Sequence, residues 1–301
     1  MSRQRNPDTA ALAQNLNVPM TQYFEFKKTP FPQILTPKDM LVLPQLKAVA
    51  EMTEFAFHNS MFYAVIGAVG CGKSSALQYS CERLVSRQAK IVNIIGGIWS
   101  FTELLRQILA ALSVEFKPYQ PSVMVRLIQE RLMAIQNDGK KCIVIIDEAH
   151  LLRPDVYAQL HILAQHPEAK NSLFSLMLCG QEELAEKISS PQARPLLSRI
   201  AEGYYVSALS HDAFDEYIDH HLQLAGARRE VFEPLGREAV WQCSNANLRS
   251  IGNACLAAMQ YAANNDIRMV NAECVRKSQR AWWHDASTQH ALPPAWEARH
   301  E

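Results

Sequence analysis

A glycine-rich stretch, VIGAVGCGKSSAL, follows an apolar run at Val65 to Leu77 of the 301-residue sequence. Its spacing fits the pattern G-x-x-x-x-G-K-[ST] between a predicted strand and a predicted helix, which is the context of a phosphate-binding loop. Glycines let backbone N–H groups turn towards phosphate oxygens, and the lysine reaches the β- and γ-phosphates. The stretch therefore predicts a nucleotide site. The predicted nucleotide contacts are Gly67, Gly70, Gly72, Lys73, Ser74 and Ser75.

Two carboxylates, Asp147 and Glu148, end a second apolar run in the stretch KKCIVIIDEAH. A buried strand that ends in paired acids is costly unless the acids face a cation. Asp147 and the Ser74 hydroxyl are the predicted Mg²⁺ ligands, and Asp147 also counts among the nucleotide-site residues. Glu148 is the predicted catalytic residue, because a carboxylate there can orient and polarise the water that attacks the γ-phosphate. ATP and Mg²⁺ are thus the predicted cofactors, and hydrolysis to ADP and phosphate the predicted reaction.

The elements that would position these residues alternate along the chain. Apolar runs predict strands, and helical periodicity fills the segments between them. Strands that alternate with long helices favour a parallel sheet covered on both faces. The predicted strands are Met61–Gly67, Lys90–Ile95, Lys141–Ile146, Leu173–Cys179 and Tyr204–Leu209. After about residue 210 only helices are predicted.

These changes divide the chain into four predicted parts. An N-terminal extension covers 1–30, an α/β nucleotide-binding domain 31–210, a helical lid 211–280 and a C-terminal tail 281–301. The tail holds a tryptophan pair that either packs on the lid or docks a partner protein.

Composition narrows the class of protein. Thirty basic residues balance thirty acidic ones, so any DNA-binding face has to be a local patch. No CxxC pair occurs among the seven cysteines, so neither disulfides nor a zinc site is expected. No signal-peptide core and no run of eighteen apolar residues occurs, so the expectation is a soluble, cytoplasmic protein without a membrane contact.

Three further residues complete a plan that resembles the AAA+ ATPases. They are Gln181 in LMLCGQEEL, Arg199 in PLLSRI and Arg249 in NANLRSIGNACLAAM. The resemblance implies a P-loop fold with a five-stranded parallel sheet between helices, followed by a small α-helical lid. It implies that Gln181 is a first sensor at the γ-phosphate or water, and that Arg199 is an arginine finger reaching a neighbouring subunit's nucleotide. Arg249 would be a second sensor that folds the lid onto ATP.

Two of these roles have competitors. Arg194 competes with Arg199 as the finger, and Gln181 could equally cap the helix that follows it. Two positions also depart from the family pattern: Glu182 stands where proline is expected, and Cys71 lies inside the phosphate-binding loop.

Over about residues 30 to 265 the sequence is similar to the AAA+ branch of TnsC, TniB, MuB and ExeA. The resemblance implies a homo-oligomer, a ring or helical filament, that assembles with ATP on double-stranded DNA. It would select a target and recruit a transposase or act with a target-selection adaptor protein. The loop over 98–102 and the region of Lys117 are the candidate contacts to DNA phosphates.

Two alternatives remain open. The resemblance implies a membrane span and an envelope-binding domain for ExeA-like proteins. Neither is expected from this sequence, which weakens the secretion hypothesis. The first alternative is an ExeA-like or other AAA+ ATPase that acts through protein partners only, in secretion, signalling or defence. The second is a binding switch with little hydrolysis.

Overall fold

Five parallel strands form the central sheet of the protein in this computed structural model. The structure describes residues 19–85, 89–115, 117, 120–167, 169 and 171–284, with side chains described up to 278. The strands are β1 (Phe62–Gly67), β2 (Lys90–Ile95), β3 (Cys142–Asp147), β4 (Ser175–Gly180) and β5 (Ile200–Val206). Their order in the sheet is β2-β3-β4-β1-β5. The predicted five-stranded parallel sheet is confirmed.

Helices precede, separate and follow the strands. Before β2 they are α1 (Met20–Tyr23), α2 (Pro44–Asn59) and α3 (Lys73–Val85). Between β2 and β5 they are α4 (Phe101–Ala111), α5 (Pro121–Asn137), α6 (Pro154–Gln159), α7 (Glu183–Ser189) and α8 (Arg194–Leu197). After β5 they are α9 (His211–Ala225), α10 (Pro234–Ser244), α11 (Leu248–Asn264) and α12 (Ala272–His284). Among the residues that the structure describes, no helix is both long and apolar enough to span a membrane.

The inner strands carry the core of the sheet. In β3 the five residues before Asp147 are buried, and all six residues of β4 are buried. Strands that are covered by helices on both faces bury side chains of both orientations, so their sequences read as continuous apolar runs. Residues of α4 and α5 such as Leu104, Ile108 and Ile128 join the same hydrophobic cluster as Val144. This packing fixes the strand ends from which the phosphate-binding loop and the acidic pair project.

The fifth strand differs from its prediction. It begins at Ile200 and ends at Val206, where the apolar pattern predicts Tyr204–Leu209. β5 is an edge strand that pairs with β1, and most of its residues are exposed or half-buried. An edge strand that faces solvent lacks the apolar run by which buried strands are recognised, which explains the shift.

The chain divides into two compact units. The sheet unit comprises Gln33–Ala213 together with Asn247–Arg249. The helical unit comprises the described residues up to Pro32, Phe214–Ala246 and the described residues from Ser250. Periodicity alone does not indicate this interleaving. Most of the predicted tail and residues 1–18 of the predicted extension lie outside the described residues.

Within the helical unit, the segment that precedes Pro32 packs on α9 and α11. The N–H groups of Lys27 and Lys28 donate to the Ala225 carbonyl. The Phe31 ring stacks on the His221 ring with 4.8 Å between centroids. The His221 side chain is buried, and its Nδ1 has no hydrogen-bond partner among the described residues. Burial, with a smaller contribution from His220, lowers the pKa of His221 to about 4.

This buried imidazole predicts a loss of stability in acid. The unfolded chain binds a proton at His221 near the ordinary pKa of 6.5, whereas the folded chain resists protonation until about pH 4. The stabilising contribution, at most about 3 kcal/mol, is therefore complete above the ordinary pKa and is lost as the pH falls towards the folded-state pKa. Denaturant unfolding at a series of pH values measures it. His221→Leu should flatten the pH dependence, and His58→Leu, at an exposed position, should not. Equal slopes for wild type and His221→Leu would contradict the prediction.

Candidate nucleotide site

The loop between β1 and α3 has a backbone that only glycine adopts easily. Gly70 and Gly72 have φ angles of +78° and +101°, a region that is strained for residues with a side chain. A Cβ at Gly72 would lie 2.9 Å from Leu248 Cδ1, and a Cβ at Gly67 would lie 2.7 Å from the Val206 carbonyl oxygen. The glycines therefore allow both the turn and the close packing around it. Ser74 and Ser75 follow in the first turn of α3, whose N-terminus carries the positive end of the helix dipole.

Lys73 lies at the base of this loop and is only 7% exposed. Its Nζ donates to the carbonyl oxygens of Gly67, at 2.8 Å, and Ala68, at 2.7 Å. The Cys71 Sγ is 4.0 Å from the same ammonium. These contacts are to neutral groups, so the positive charge stays available to an anion such as phosphate.

The loop meets the acidic end of β3 through one hydrogen bond. The Ser74 hydroxyl donates to Asp147 Oδ2 at 3.3 Å, and the Glu148 N–H donates to Asp147 Oδ1 at 2.8 Å. Hydroxyl and carboxylate oxygens are the ligands that Mg²⁺ prefers. Ser74 and Asp147 therefore form a pair of oxygen donors that fits Mg²⁺, beside a loop that fits phosphate.

Glu148 adopts the left-handed conformation, with φ 51° and ψ 32°. Residues other than glycine rarely adopt this conformation, and such strain is concentrated at functional sites. The side chain is 38% exposed, and its Oε2 lies 3.4 Å from His150 Nδ1. A partly exposed carboxylate beside the phosphate loop can reach a water molecule without leaving the protein surface.

Gly96, directly after β2, supports this strained turn, although it belongs to none of the sequence motifs. Its N–H donates to the Asp147 carbonyl oxygen at 2.6 Å. A Cβ at this position would lie 2.8 Å from the Glu148 carbonyl oxygen and 2.9 Å from that of Asp147. The only sequence signal is the glycine pair that follows an apolar strand.

Cys179, on β4, is a second residue that sequence reasoning did not assign to the site. Burial raises the pKa of its thiol, and the charge and hydrogen bond of Asp147 raise it further. The thiol therefore stays protonated beside the Asp147 carboxylate. Asp147 is thus contacted from β1's loop, β2 and β4.

The end of β4 also brings Gln181 to the site. Its backbone N–H donates to His150 Nδ1 at 3.3 Å. The N-cap residue of α7 is Glu182, and that carboxylate accepts a hydrogen bond from the Tyr205 hydroxyl. The Gln181 carbonyl oxygen accepts from the Leu184 N–H at 2.9 Å, and among the described residues no side-chain capping hydrogen bond is made at this helix start.

Arg249 lies next to the phosphate loop. Its N–H donates to the Gly70 carbonyl oxygen at 3.2 Å, and Asn247 Nδ2 donates to the Val69 carbonyl oxygen at 2.5 Å. Asn247, just before α11, and Arg249, in its first turn, therefore hold the loop through its backbone carbonyl oxygens. Asn247 has no motif of its own, and only its place next to Arg249 could have drawn attention to it.

Arg199 and Arg194 lie away from this cluster. Arg199 precedes β5, and its Nη1 donates to the Pro195 carbonyl oxygen at 2.7 Å. Burial lowers the pKa of the neighbouring His161, and the charge of Arg199 lowers it further. Arg194 is exposed at the start of α8. Among the hydrogen bonds of the described residues, none joins either arginine to the loop or the acidic pair.

Residues 57–188, which contain the loop, the acidic pair and Gln181, match the family model described as AAA domain. The chain contains an AAA domain. Its matched region ends within α7, before both candidate arginine fingers and before Arg249.

A curated relative extends the similarity beyond the AAA domain. The general secretion pathway protein A of Aeromonas hydrophila is 30% identical over 245 residues, which cover 79% of this chain. The same alignment covers 44% of the relative, so the chain spans less than half of that protein's length.

Solved structures share the fold of the AAA domain and of the helices that follow it. The ORC2 protein of Aeropyrum pernix, solved as ADPNP–ADP complexes, has a TM-score of 0.63 and 15% identity, covering 89% of this chain and 76% of its own. The ORC1 protein of Aeropyrum pernix, solved in complex with DNA, has a TM-score of 0.57 and 15% identity, covering 85% and 68%. The AAA+ P-loop fold is therefore established.

The close approach of Gly96 to the acidic turn of the AAA domain predicts a sharp effect of Gly96→Ala. The added Cβ must push the backbone at Asp147 and Glu148 away, which should lower the free energy of unfolding by about 1–3 kcal/mol. Nucleotide turnover should fall about 10- to 100-fold, because small displacements of reacting groups are costly. Chemical denaturation and a phosphate-release assay measure the two effects. Gly203→Ala is the matched control, since its Cβ would contact only the Ala64 carbonyl oxygen, at 3.9 Å. Wild-type turnover in Gly96→Ala would refute this role.

Proposed function

We propose that the AAA domain binds ATP with Mg²⁺ and hydrolyses it to ADP and phosphate. The observation that carries the proposal is the Ser74–Asp147 hydrogen bond, because it joins the phosphate loop to the acidic end of β3. Mg²⁺, held by these two residues, would neutralise charge on the phosphates as the bond to the γ-phosphate breaks.

The protein's own groups bind the phosphates, orient the attacking water and sense the bound nucleotide. Lys73 and the loop N–H groups bind the phosphates, and the start of α3 directs its dipole at them. Glu148 orients the attacking water and accepts its proton. Gln181 and Arg249 act as the two sensors, at the β4 end of the site and beside the loop. Lys73 and the loop N–H groups are held in place before the reaction, so little reorganisation of the phosphate contacts is needed as charge develops.

The work done with ATP is proposed to be target selection on DNA. In this proposal, the protein forms a ring or filament on double-stranded DNA, with Arg199 reaching the nucleotide of the next subunit. It then selects target DNA for, or recruits, a transposase. The motifs that resemble transposition ATPases support this, and the AAA+ fold is one that another protein, ORC1, uses in a complex with DNA.

A second candidate is favoured by one observation. The identity of 30% to general secretion pathway protein A extends over 79% of this chain. An ATPase that acts through protein partners only, in secretion, signalling or defence, would use the same nucleotide site and would not require DNA.

Binding to labelled double-stranded DNA with ATP, ADP or no nucleotide separates the two candidates. DNA-dependent assembly predicts binding with ATP only, with an affinity that falls steeply as salt rises, because phosphate contacts release counterions. Lys73→Ala should abolish binding. Lys47→Ala, which removes an exposed lysine paired with Glu51, should preserve it. Absence of binding at low salt in every nucleotide state would exclude the DNA proposal and favour protein partners.

The arginine finger has its own test. Arg199→Ala should lower ATP turnover by about 10³- to 10⁵-fold while ATP binding is retained. Arg194→Ala should turn over ATP at close to the wild-type rate. Mixing Arg199→Ala with Glu148→Gln subunits should restore part of the activity, because some interfaces then contain both a Glu148 and an Arg199. Loss of turnover in Arg194→Ala instead would assign the finger to that residue, and no recovery on mixing would contradict an action between subunits.

A further inference from the structure

The turn that follows the acidic pair is held by side chains from two helices. The Tyr157 hydroxyl, on α6, donates to the Ala149 carbonyl oxygen. The Lys187 ammonium, on α7, donates to the carbonyl oxygens of His150 and, at 3.1 Å, of Leu152. The backbone of this turn is therefore fixed, and what can change is the contact made by the His150 side chain.

The His150 imidazole lies between two candidate catalytic residues, Glu148 before this turn and Gln181 directly after β4. The residue is 8% exposed. Its Nδ1 accepts a hydrogen bond from the Gln181 N–H at 3.3 Å, and the same Nδ1 lies 3.4 Å from Glu148 Oε2. Gly180 leaves room for the ring, because a Cβ there would lie 3.2 Å from Nδ1. One buried nitrogen thus contacts both the end of β4 and the Glu148 carboxylate.

The two contacts require opposite forms of the same nitrogen. To accept from the Gln181 N–H, Nδ1 must carry a lone pair and the ring proton must be on Nε2. To donate to the Glu148 carboxylate, Nδ1 must carry the proton. A single nitrogen cannot do both, so the two hydrogen bonds exclude each other.

We propose that His150 is a positioning residue that exchanges one hydrogen bond between Gln181 and Glu148. While Nδ1 accepts from Gln181, its lone pair repels the carboxylate, and the partly exposed Glu148 is free to orient water. When Nδ1 carries the proton it holds Glu148, and the Gln181 N–H loses its acceptor. A movement of β4's end therefore changes the position of the Glu148 side chain. This inference rests on the proposed ATP hydrolysis.

The experiment compares His150→Leu and His150→Asn in the wild-type and Glu148→Gln backgrounds. Turnover of ATP gives kcat, and titration with a fluorescent ATP analogue gives Kd. His150→Leu should lower kcat about 10- to 100-fold, as loss of an orienting neighbour typically does. Its Kd should change by less than about threefold, because the phosphate contacts come from Lys73 and the loop. His150→Asn should recover much of kcat, since its amide presents a donor or an acceptor near the Nδ1 position.

The double variant identifies the partner. If His150 acts through Glu148, adding His150→Leu to Glu148→Gln should change the residual rate by less than about twofold. His58→Leu, at an exposed position, is the control for loss of a histidine, and thermal unfolding of each variant reports on folding.

Four results would overturn the inference. Wild-type kcat in His150→Leu would show that the side chain has no positioning role. Equal losses in both backgrounds, or an Asn variant as impaired as the Leu variant, would show a role in folding that is independent of Glu148. Wild-type turnover at the background rate would overturn the ATP hydrolysis itself, together with the role of His150.

Discussion

The buried ammonium of Lys73, at the base of the phosphate-binding loop, is the constraint on which the site depends. Lys73 is 7% exposed, and its ammonium is held by two carbonyl oxygens of the loop that it ends. Such a charge is tolerated only when its surroundings supply acceptors in fixed places. The loop supplies them through the Gly67 and Ala68 carbonyl oxygens. The parallel strands bring this loop, which follows β1, and the acids of β3 to the same edge of the sheet.

Glycines allow the backbone at this edge of the sheet to form the phosphate loop and to pack closely against the acidic turn. The loop turns at Gly70 and Gly72, and the acidic turn passes within contact distance of Gly96. At Gly96 a side chain would push away the backbone of the acidic turn, and at Gly70 and Gly72 the positive φ angles are strained for any residue with a side chain. Their φ angles or contacts explain the glycines without any reference to flexibility.

Contacts to the acidic turn come from elements on every side. Gly96 and Cys179 contact Asp147, while Lys187 and His150 join the turn to the segment after β4. Arg249 and Asn247 reach the loop from the start of α11. The nucleotide site is therefore linked by hydrogen bonds to the elements that carry the proposed sensors. The AAA domain is common to the DNA and the protein-partner hypotheses, so the nucleotide site is compatible with both kinds of partner.

Local sequence determined the phosphate loop, the acidic pair and the five-stranded parallel sheet, because each rests on short patterns. Glycine spacing encodes a turn, and apolar runs encode buried strands. The tertiary structure alone decided the rest. Asn247 meets Val69 across 178 residues of chain, and His150 meets Gln181 across 31. No local periodicity records such contacts. The start of β5 belongs to the same class, since an exposed edge strand is defined by its pairing with β1 and not by its own side chains.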